Sequence, residues 1–386
     1  RRVTDYMKIV IAPDSFKESL TALEAANAIE EGFKKVFPDA EYLKVPMADG
    51  GEGTVQSLVD TTNGKIQTLT VHGPLGELVE GFYGISGDGK LAIIEMAAAS
   101  GLDLVSPSER NPLITSTWGT GELIQDAINK GVKEILIGIG GSATNDGGAG
   151  MIQCLGGKLL DKEGQQIVPG GVGLADLVSI DLSELNPKLK EVEIKVACDV
   201  DNPFTGPKGA SYIYGFQKGG TAEQVEQLDK NLAHFASLIR QYLNKDIEFV
   251  AGAGAAGGLG GALMAFLDAK LQNGGELVSE LVGLAEKICD ADLVITGEGG
   301  INHQTIYGKT PICVAKIAQK YQVPVIAIAG SLTGNYETVY EHGVTAVFSI
   351  LSELTSLETA LEMGYENIRK TTQNIASVIQ LSQSRL

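Results

Sequence analysis

Two rhythms of apolar positions alternate at both ends of this chain. Lys8 to Ala12, Glu41 to Pro46, Asp292 to Thr296, Val323 to Ala329 and Thr345 to Ile350 are short apolar runs that read as buried strands. Between them the spacing becomes helical. Leu23, Ala26, Ile29, Phe33 and Val36 line one face of a helix over Leu20 to Phe37, and Thr21 with Glu24 fits a capping box at its start. Pro311 to Tyr321 reads as a helix with Thr310 as N-cap and Pro311 at its first position. Asn335 to His342 reads as a short helix, and Leu354 to Ile379 as one long or broken helix. Strands and helices in this alternation predict a parallel sheet.

The middle of the chain has a different pattern. Gln67 to Val71 and Gly81 to Ile85 read as strands, with a hairpin turn at Gly87-Asp88-Gly89 before Leu91 to Glu95. A helix over Thr120 to Asn129, a strand over Glu134 to Ile139, a helix beginning near Asp146, a strand over Glu193 to Cys198 and a helix over Ala222 to Leu243 follow, and Lys158 to Gly173 reads as loops. The expected architecture is α/β: a doubly wound parallel-sheet domain built from residues 7–67 and 286–386, and a mixed-sheet α/β domain of residues 68–285 inserted into it. Residues 1–6 precede Met7 and read as an extension to the domain.

The strand-like runs end on carboxylates set in Gly- or Ser-rich turns. Pro13-Asp14-Ser15 follows the first strand, and Asp49-Gly50-Gly51-Glu52-Gly53-Thr54 follows the second. Asp199 follows Cys198, and Glu298-Gly299 follows Gly297. Ligands of open α/β sheets bind outside the carboxyl ends of the strands. Acids gathered there serve Mg²⁺ or proton transfer, with Asp14 and Asp199 leading. For any one of them the simpler role is to cap a turn, or for Glu52 to favour a helix dipole.

Composition narrows the partners. A formal net charge of -18 over 386 residues argues against nucleic acid and anionic membranes. A small anionic substrate then needs local positive field from helix N-termini, lysines or cations. The 49 glycines cluster between apolar runs, as in loops that approach a ligand closely. Cys154, Cys198, Cys289 and Cys313 share no metal-type spacing and read as reduced thiols of a cytoplasmic protein. No apolar run has the length of a membrane span.

Three glycine-rich loops carry candidate chemistry. Gly138 to Gly148 follows a strand and precedes a helix, so Gly141, Ser142, Asn145 and Asp146 can bind phosphate or carboxylate; a mobile turn capped by Asn145 or Asp146 is the plainer reading. Gly252 to Gly257 has the spacing G-x-G-x-x-G after a short strand over Glu248 to Val250. It reads equally as a phosphate loop around Gly254 or as close helix packing. Gly308-Lys309-Thr310 resembles the end of a P-loop but has His303 where the pattern requires glycine. Lys309 still precedes a helix N-terminus, as Lys17 does beyond Asp14-Ser15, and Lys218 lies between glycines ahead of another helix.

The sequence resembles the bacterial type I glycerate kinases from Met7 nearly to its C-terminus. The resemblance rests on Ile11 to Ser19, Ala48 to Thr54, Glu95 to Leu102, Gly138 to Gly150, Ala197 to Val200 with Asn202-Pro203, Gly252 to Gly258, and Leu293 to Glu298. It implies a flavodoxin-like domain with an inserted mixed-sheet domain and a cleft between them. It also implies phosphorylation of D-glycerate by ATP and Mg²⁺, in most bacterial members at the 2-hydroxyl. By that resemblance Asp14, Ser15, Lys17, Asp49, Glu52, Ser142 to Asp146, Asp199, Lys218 and Glu298 line the cleft. The chain departs from the family after Glu298-Gly299, where Gly300-Ile301-Asn302 stands in place of the usual Arg-Ile-Asp. Two other functions remain open on the residues: an NAD-dependent hydroxy-acid dehydrogenase resting on Gly252 to Gly257, and a glycerate-binding protein with impaired turnover resting on Gly300 and Asn302. Assembly into homo-oligomers is not decided by the sequence.

Overall fold

A computed structural model describes residues 7–383, so the expected extension over residues 1–6 lies outside the described residues. Contacts divide the chain into two units. The first takes the chain up to Asp49, Gln56–Thr62 and everything from Asn273 onward; the second takes Gly50–Val55 and Asn63–Gln272. The division thus falls near residues 63 and 273, where the sequence pattern placed it at 68 and 286.

The first unit is a five-stranded parallel sheet. Its strands are β1 (Lys8–Ile11), β2 (Glu41–Lys44), β11 (Leu293–Ile301), β12 (Val325–Leu332) and β13 (Ala346–Ser349), in the order β13-β12-β11-β1-β2. Counted within the unit this is the flavodoxin-like order 2-1-3-4-5, whose switch point lies between β1 and β11. Ile9, Ile11, Leu293, Ile295, Ile326 and Ile328 form its core with Ala25, Ile29 and Phe33 of the helix Ala22–Lys34. That helix starts at the expected capping box, with the Thr21 hydroxyl accepting from the Glu24 N–H at 3.2 Å.

The second unit carries β3 (Lys65–His72), β4 (Leu78–Ile85), β5 (Leu91–Glu95), β6 (Glu134–Gly138), β7 (Lys158–Leu160), β8 (Ser179–Asp181), β9 (Glu193–Ala197) and β10 (Lys270–Gln272). Six of these form a mixed sheet in the order β10-β9-β6-β5-β4-β3, parallel from β10 to β5 and antiparallel across β4 and β3. Ile94, Ile135, Ile137, Val196, Leu232 and Phe235 belong to its core.

Several local expectations are corrected. Lys158 to Gly173 is not all loop: β7 pairs with β8 through Leu159 and Ile180. Glu248 to Val250 is a turn, and so is the stretch after it up to the helix Leu259–Leu267, so the glycine motif has no strand before it. The third strand of the parallel sheet does not stop at Thr296. β11 runs on to Ile301 because β12 continues beside it, pairing Glu298 with Ala329 and Gly300 with Ser331. The C-terminal segment takes the broken one of the two expected forms, as helices Leu357–Glu362 and Gly364–Gln383.

Candidate functional site

In the first unit the candidate side chains collect around the β1–β11 switch point. Beyond β1 the chain stays tied to β11: the Asp14 N–H donates to the Gly297 carbonyl at 2.9 Å. The Thr296 hydroxyl donates to the Ala12 carbonyl at 2.8 Å. These bonds bring Asp14 and Glu298 to the same end of adjacent strands, and both are 8% exposed. Asp14 Oδ1 accepts from the Ser15 N–H at 2.6 Å, and Oδ2 from the Thr310 hydroxyl at 2.6 Å. Glu298 Oε1 accepts from the Thr305 hydroxyl at 2.9 Å, and Lys309 Nζ lies 3.8 Å from Oε2.

The electrostatics follow from this crowding. Burial pushes the Asp14 carboxyl up to about 7; Asp49 adds to the rise, and Thr310 and Ser15 oppose it. Burial likewise raises Glu298, relieved by Lys309 and Thr305 and raised again by Asp49. Lys17 also acts on Glu298, favouring its charged form. The sequence-predicted Asp14, Ser15, Lys17, Asp49, Glu298 and Lys309 are therefore one electrostatic group.

Thr305 and Thr310, whose hydroxyls bond the candidate carboxylates Glu298 and Asp14, were not singled out by the sequence. Thr310 was expected as an N-cap, but the helix Thr310–Lys320 is preceded by Lys309 at the cap position and shows no side-chain cap bond. The Thr310 hydroxyl goes to Asp14 instead, 296 positions away in the chain. Only the Gly-Lys-Thr pattern hinted at this segment.

In the second unit the candidates lie at the carboxyl edge of β5, β6 and β9, where Glu95 pairs with Gly138 and Gly138 with Ala197. Asp199 follows β9 and is exposed. Glu95, another residue not singled out as a site, is 9% exposed and accepts from the Val55 N–H at 2.9 Å. Burial raises its carboxyl, and the exposed Glu52 raises it further. The Gly50 turn packs directly on β6: a Cβ on Gly138 would collide with the Gly50 carbonyl.

The loop after β6 has an exposed tip and a buried root. Gly140 and Gly141 are exposed, whereas Ser142 to Gly150 are buried. Asp146 belongs to the root. Its carboxylate accepts from the Thr117 N–H and hydroxyl at 2.9 and 2.8 Å and from the Gly148 and Gly150 N–H groups at 3.0 and 3.1 Å. Lys218 is 2% exposed and reaches Ser142 Oγ at 2.7 Å and the Thr144 carbonyl at 2.6 Å. Gly254 and Gly257 are close-packing glycines: side chains there would strike the Pro203 and Thr144 carbonyls.

Hard oxygen donors dominate the first-unit group, and the repulsion among Asp14, Asp49 and Glu298 is the kind a divalent cation relieves. Among the described residues no three His, Cys, Asp or Glu converge into a complete metal cage. Mg²⁺ needs none, because it is commonly held by one or two carboxylates together with substrate phosphates and water. A cavity of about 820 Å³ lined by Met7, Phe37, Leu293, Pro324 and Ile326 lies at the amino-terminal end of β1 and β11, the wrong end for the acids. The carboxyl ends of the strands, where ligands of open α/β sheets bind, are therefore the candidate site in preference to this cavity.

A doubly wound sheet with acids at its switch point, joined to a second α/β unit with a glycine-rich loop, defines an α/β enzyme that handles small anionic ligands. The model of the glycerate kinase family matches residues 9–380, and the chain belongs to that family. It is 57% identical to the glycerate kinase of Bacillus subtilis (strain 168), with 98% of this chain and 99% of the relative aligned. It is 55% identical to the glycerate 2-kinase of Escherichia coli (strain K12), over 97% of this chain and 98% of the relative. The crystal structure of a glycerate kinase 2 described as putative, from Salmonella typhimurium LT2, matches with a TM-score of 0.92 at 54% identity, covering 98% of this chain and 100% of that one. The enzyme is accordingly a glycerate kinase, and the dehydrogenase alternative falls with the packing role of Gly254 and Gly257. Among the described residues no helix is long and apolar enough to cross a membrane.

Proposed function

We propose that this chain transfers the γ-phosphoryl group of ATP to the 2-hydroxyl of D-glycerate, giving 2-phosphoglycerate and ADP, with Mg²⁺ as the metal. The observation that carries this is the crowding of Asp14, Asp49 and Glu298 at a flavodoxin-like switch point. The name of the Escherichia coli relative, glycerate 2-kinase, supports the choice of hydroxyl.

In the transfer the substrate hydroxyl oxygen forms a bond to the γ-phosphorus, the bond from that phosphorus to the ADP oxygen breaks, and the hydroxyl proton must leave. A carboxylate whose pKa lies near the working pH is suited to receive it. Asp14 fits, because the three donors that reach it, the Ser15 N–H and hydroxyl and the Thr310 hydroxyl, leave part of a carboxylate's acceptor capacity open, on Oδ2 above all. Asp199 is the corresponding candidate in the second unit. Each is also a proposed approach point for Mg²⁺, which when bound neutralises charge on the phosphates. Lys17 and Lys309 supply positive charge near Glu298. Gly140 and Gly141, at the exposed tip of the loop, are proposed to lie against phosphate or carboxylate, with Ser15, Asp49 and Glu52 as further lining residues; Ser142 and Asn145 are buried and support the tip, and Gly254 is a packing position.

The test is direct. The purified chain is incubated with ATP, Mg²⁺ and D-glycerate, ADP is followed by a coupled assay, and the product is read by phosphorus NMR. A 2-phosphoglycerate signal is expected. The 3-phosphate isomer alone overturns the choice of hydroxyl, and absence of ADP overturns ATP as donor. Asp14→Asn and Asp199→Asn then separate the two carboxylates: the proton acceptor is the one whose loss lowers kcat at least a hundredfold, an effect of about 3 kcal/mol.

A further inference from the structure

The root of the loop after β6 contains a lysine in an unusual setting. Lys218 sits in a tight turn in which the Lys218 N–H donates to the Gly215 carbonyl at 3.2 Å, and the Gly220 N–H to the same carbonyl at 3.0 Å. Gly219, at φ 93°, packs so closely on the Arg110 carbonyl that a side chain there would collide. The turn is thus a fixed anchor. From it the lysine stem runs inward, and the amine ends on two acceptors of one loop segment, Ser142 Oγ and the Thr144 carbonyl.

The same segment is short of hydrogen bonds. Thr144 Oγ1 and Asn145 Oδ1 are buried without a partner, although both residues are 0% exposed. The Asn145 amide donates to Ser211 Oγ at 2.9 Å. The tip side is tied more simply: the Leu102 N–H donates to the Gly141 carbonyl at 2.8 Å, and the Ala143 N–H to the Ser100 carbonyl at 2.9 Å. Without Lys218, Ser142 Oγ and the Thr144 carbonyl would lose these bonds beside two atoms that already have none. Buried polar groups strongly prefer to be paired, so the amine decides where this segment rests.

We propose that Lys218 is a positioning residue, which sets the glycine tip at Gly140 and Gly141 for an anionic oxygen of the substrates by holding Ser142 and Thr144 from a fixed turn, without touching the ligand itself. Burial supports this: it lowers the Lys218 amine to about 7, partly offset by Asp146. An uncharged amine can still donate to the Thr144 carbonyl while accepting from the Ser142 hydroxyl, so both contacts persist in either charge state. Asp146, the charged group acting on it, is itself held by Thr117, Gly148 and Gly150.

The inference rests on the glycerate kinase reading of this loop, and the parent enzyme assayed with ATP and D-glycerate checks that reading separately. Lys218→Met, Ser142→Ala and the double variant are then compared by kcat, KM for each substrate, calorimetric binding of each substrate, and Tm. Lys218→Met should raise one KM about tenfold while kcat changes less than about threefold. The substrate affected, ATP or glycerate, tells whether the tip meets phosphate or carboxylate. The double variant should be no worse than Lys218→Met alone, because both act through one contact. Independent, multiplying losses with a kcat fall above a hundredfold would instead put Lys218 on the reacting phosphate and overturn the proposal. A lowered Tm with unchanged KM values and affinities would reduce it to a stability role, which also overturns it. If Lys218→Met does not fold, folded Ser142→Ala with an unchanged KM and affinity for both substrates is the overturning result, and a raised KM supports the proposal. If the parent shows no turnover, the calorimetric affinities of the same variants decide in the same way.

Discussion

Asp14 shows how much a single side chain can be altered by its surroundings. Its carboxyl is raised from 3.8 to about 7. Between those values the folded chain holds a proton that the unfolded chain has released, so this residue makes stability fall as pH rises through that window. Each pH unit crossed corresponds to ~1.4 kcal/mol at most. Asp14→Asn should flatten the trend, and urea unfolding from pH 4 to pH 8 measures it. The Thr310 hydroxyl works in the opposite direction by favouring the carboxylate. Thr310→Val keeps the shape and removes the donor. The acidic limb of the pH profile of kcat/KM should move upward by roughly half to one pH unit, consistent with a hydrogen bond worth ~1 kcal/mol. An unmoved limb in a folded variant would take Asp14 out of the rate profile.

At the scale of elements, β11 and the loop after β6 make separable predictions. Gly300 lies inside β11 opposite Ser331, and a Cβ there would meet only the Ser331 hydroxyl at 3.2 Å. Asn302 caps the short 3₁₀ helix His303–Ile306, accepting from the Gln304 N–H at 2.8 Å, a task that aspartate performs equally well. Gly300→Arg with Asn302→Asp is therefore expected to fold, with Tm within a few degrees of the parent. A guanidinium can clamp carboxylate or phosphate bidentately. We expect kcat/KM for glycerate to rise roughly ten- to a hundredfold, the equivalent of one charge-assisted bond of about 1.5–3 kcal/mol. Equal kinetics would mean that Lys309 or Lys17 already serves. In the other loop Gly140 and Gly141 differ. Gly141 has φ 73°, so valine there strains the backbone, whereas a Cβ on Gly140 meets nothing within 4 Å. Gly140→Val should raise KM with little change in Tm, whereas Gly141→Val should lower Tm as well.

For the whole molecule, the partition of the chain predicts which pieces stand alone. The second unit is almost continuous in sequence but includes residues 50–55. A fragment of residues 50–272 should unfold cooperatively in urea with native-like circular dichroism. A fragment of residues 63–272 lacks Val55, leaving the buried Glu95 carboxylate without that donor. It should be less stable by about 1–3 kcal/mol, the cost of an unsatisfied buried polar group. Equal midpoints for the two fragments would show that the Gly50–Val55 segment adds nothing to the unit.

Sequence alone determined the α/β class, the parallel and mixed sheets, and the placing of Asp14 and Asp199 just beyond strands, while Asp49 lies five residues past the end of β2 at Lys44. These are written in periodicity and turn residues, which report neighbours one pleat or one helical turn apart. The long blocks around Asp14, Asp49 and Gly138 also carried the family. Tertiary structure alone decided the rest. It put Glu298 within a strand because β12 runs on beside it. It turned Thr310 from a cap into a donor for Asp14 across 296 positions, and sent Lys218 into a loop root 76 positions away. It also made Gly254 a packing residue against Pro203. A hydrogen bond or close approach between positions so far apart leaves no period in the chain. It exists only once the sheets have brought the two segments together.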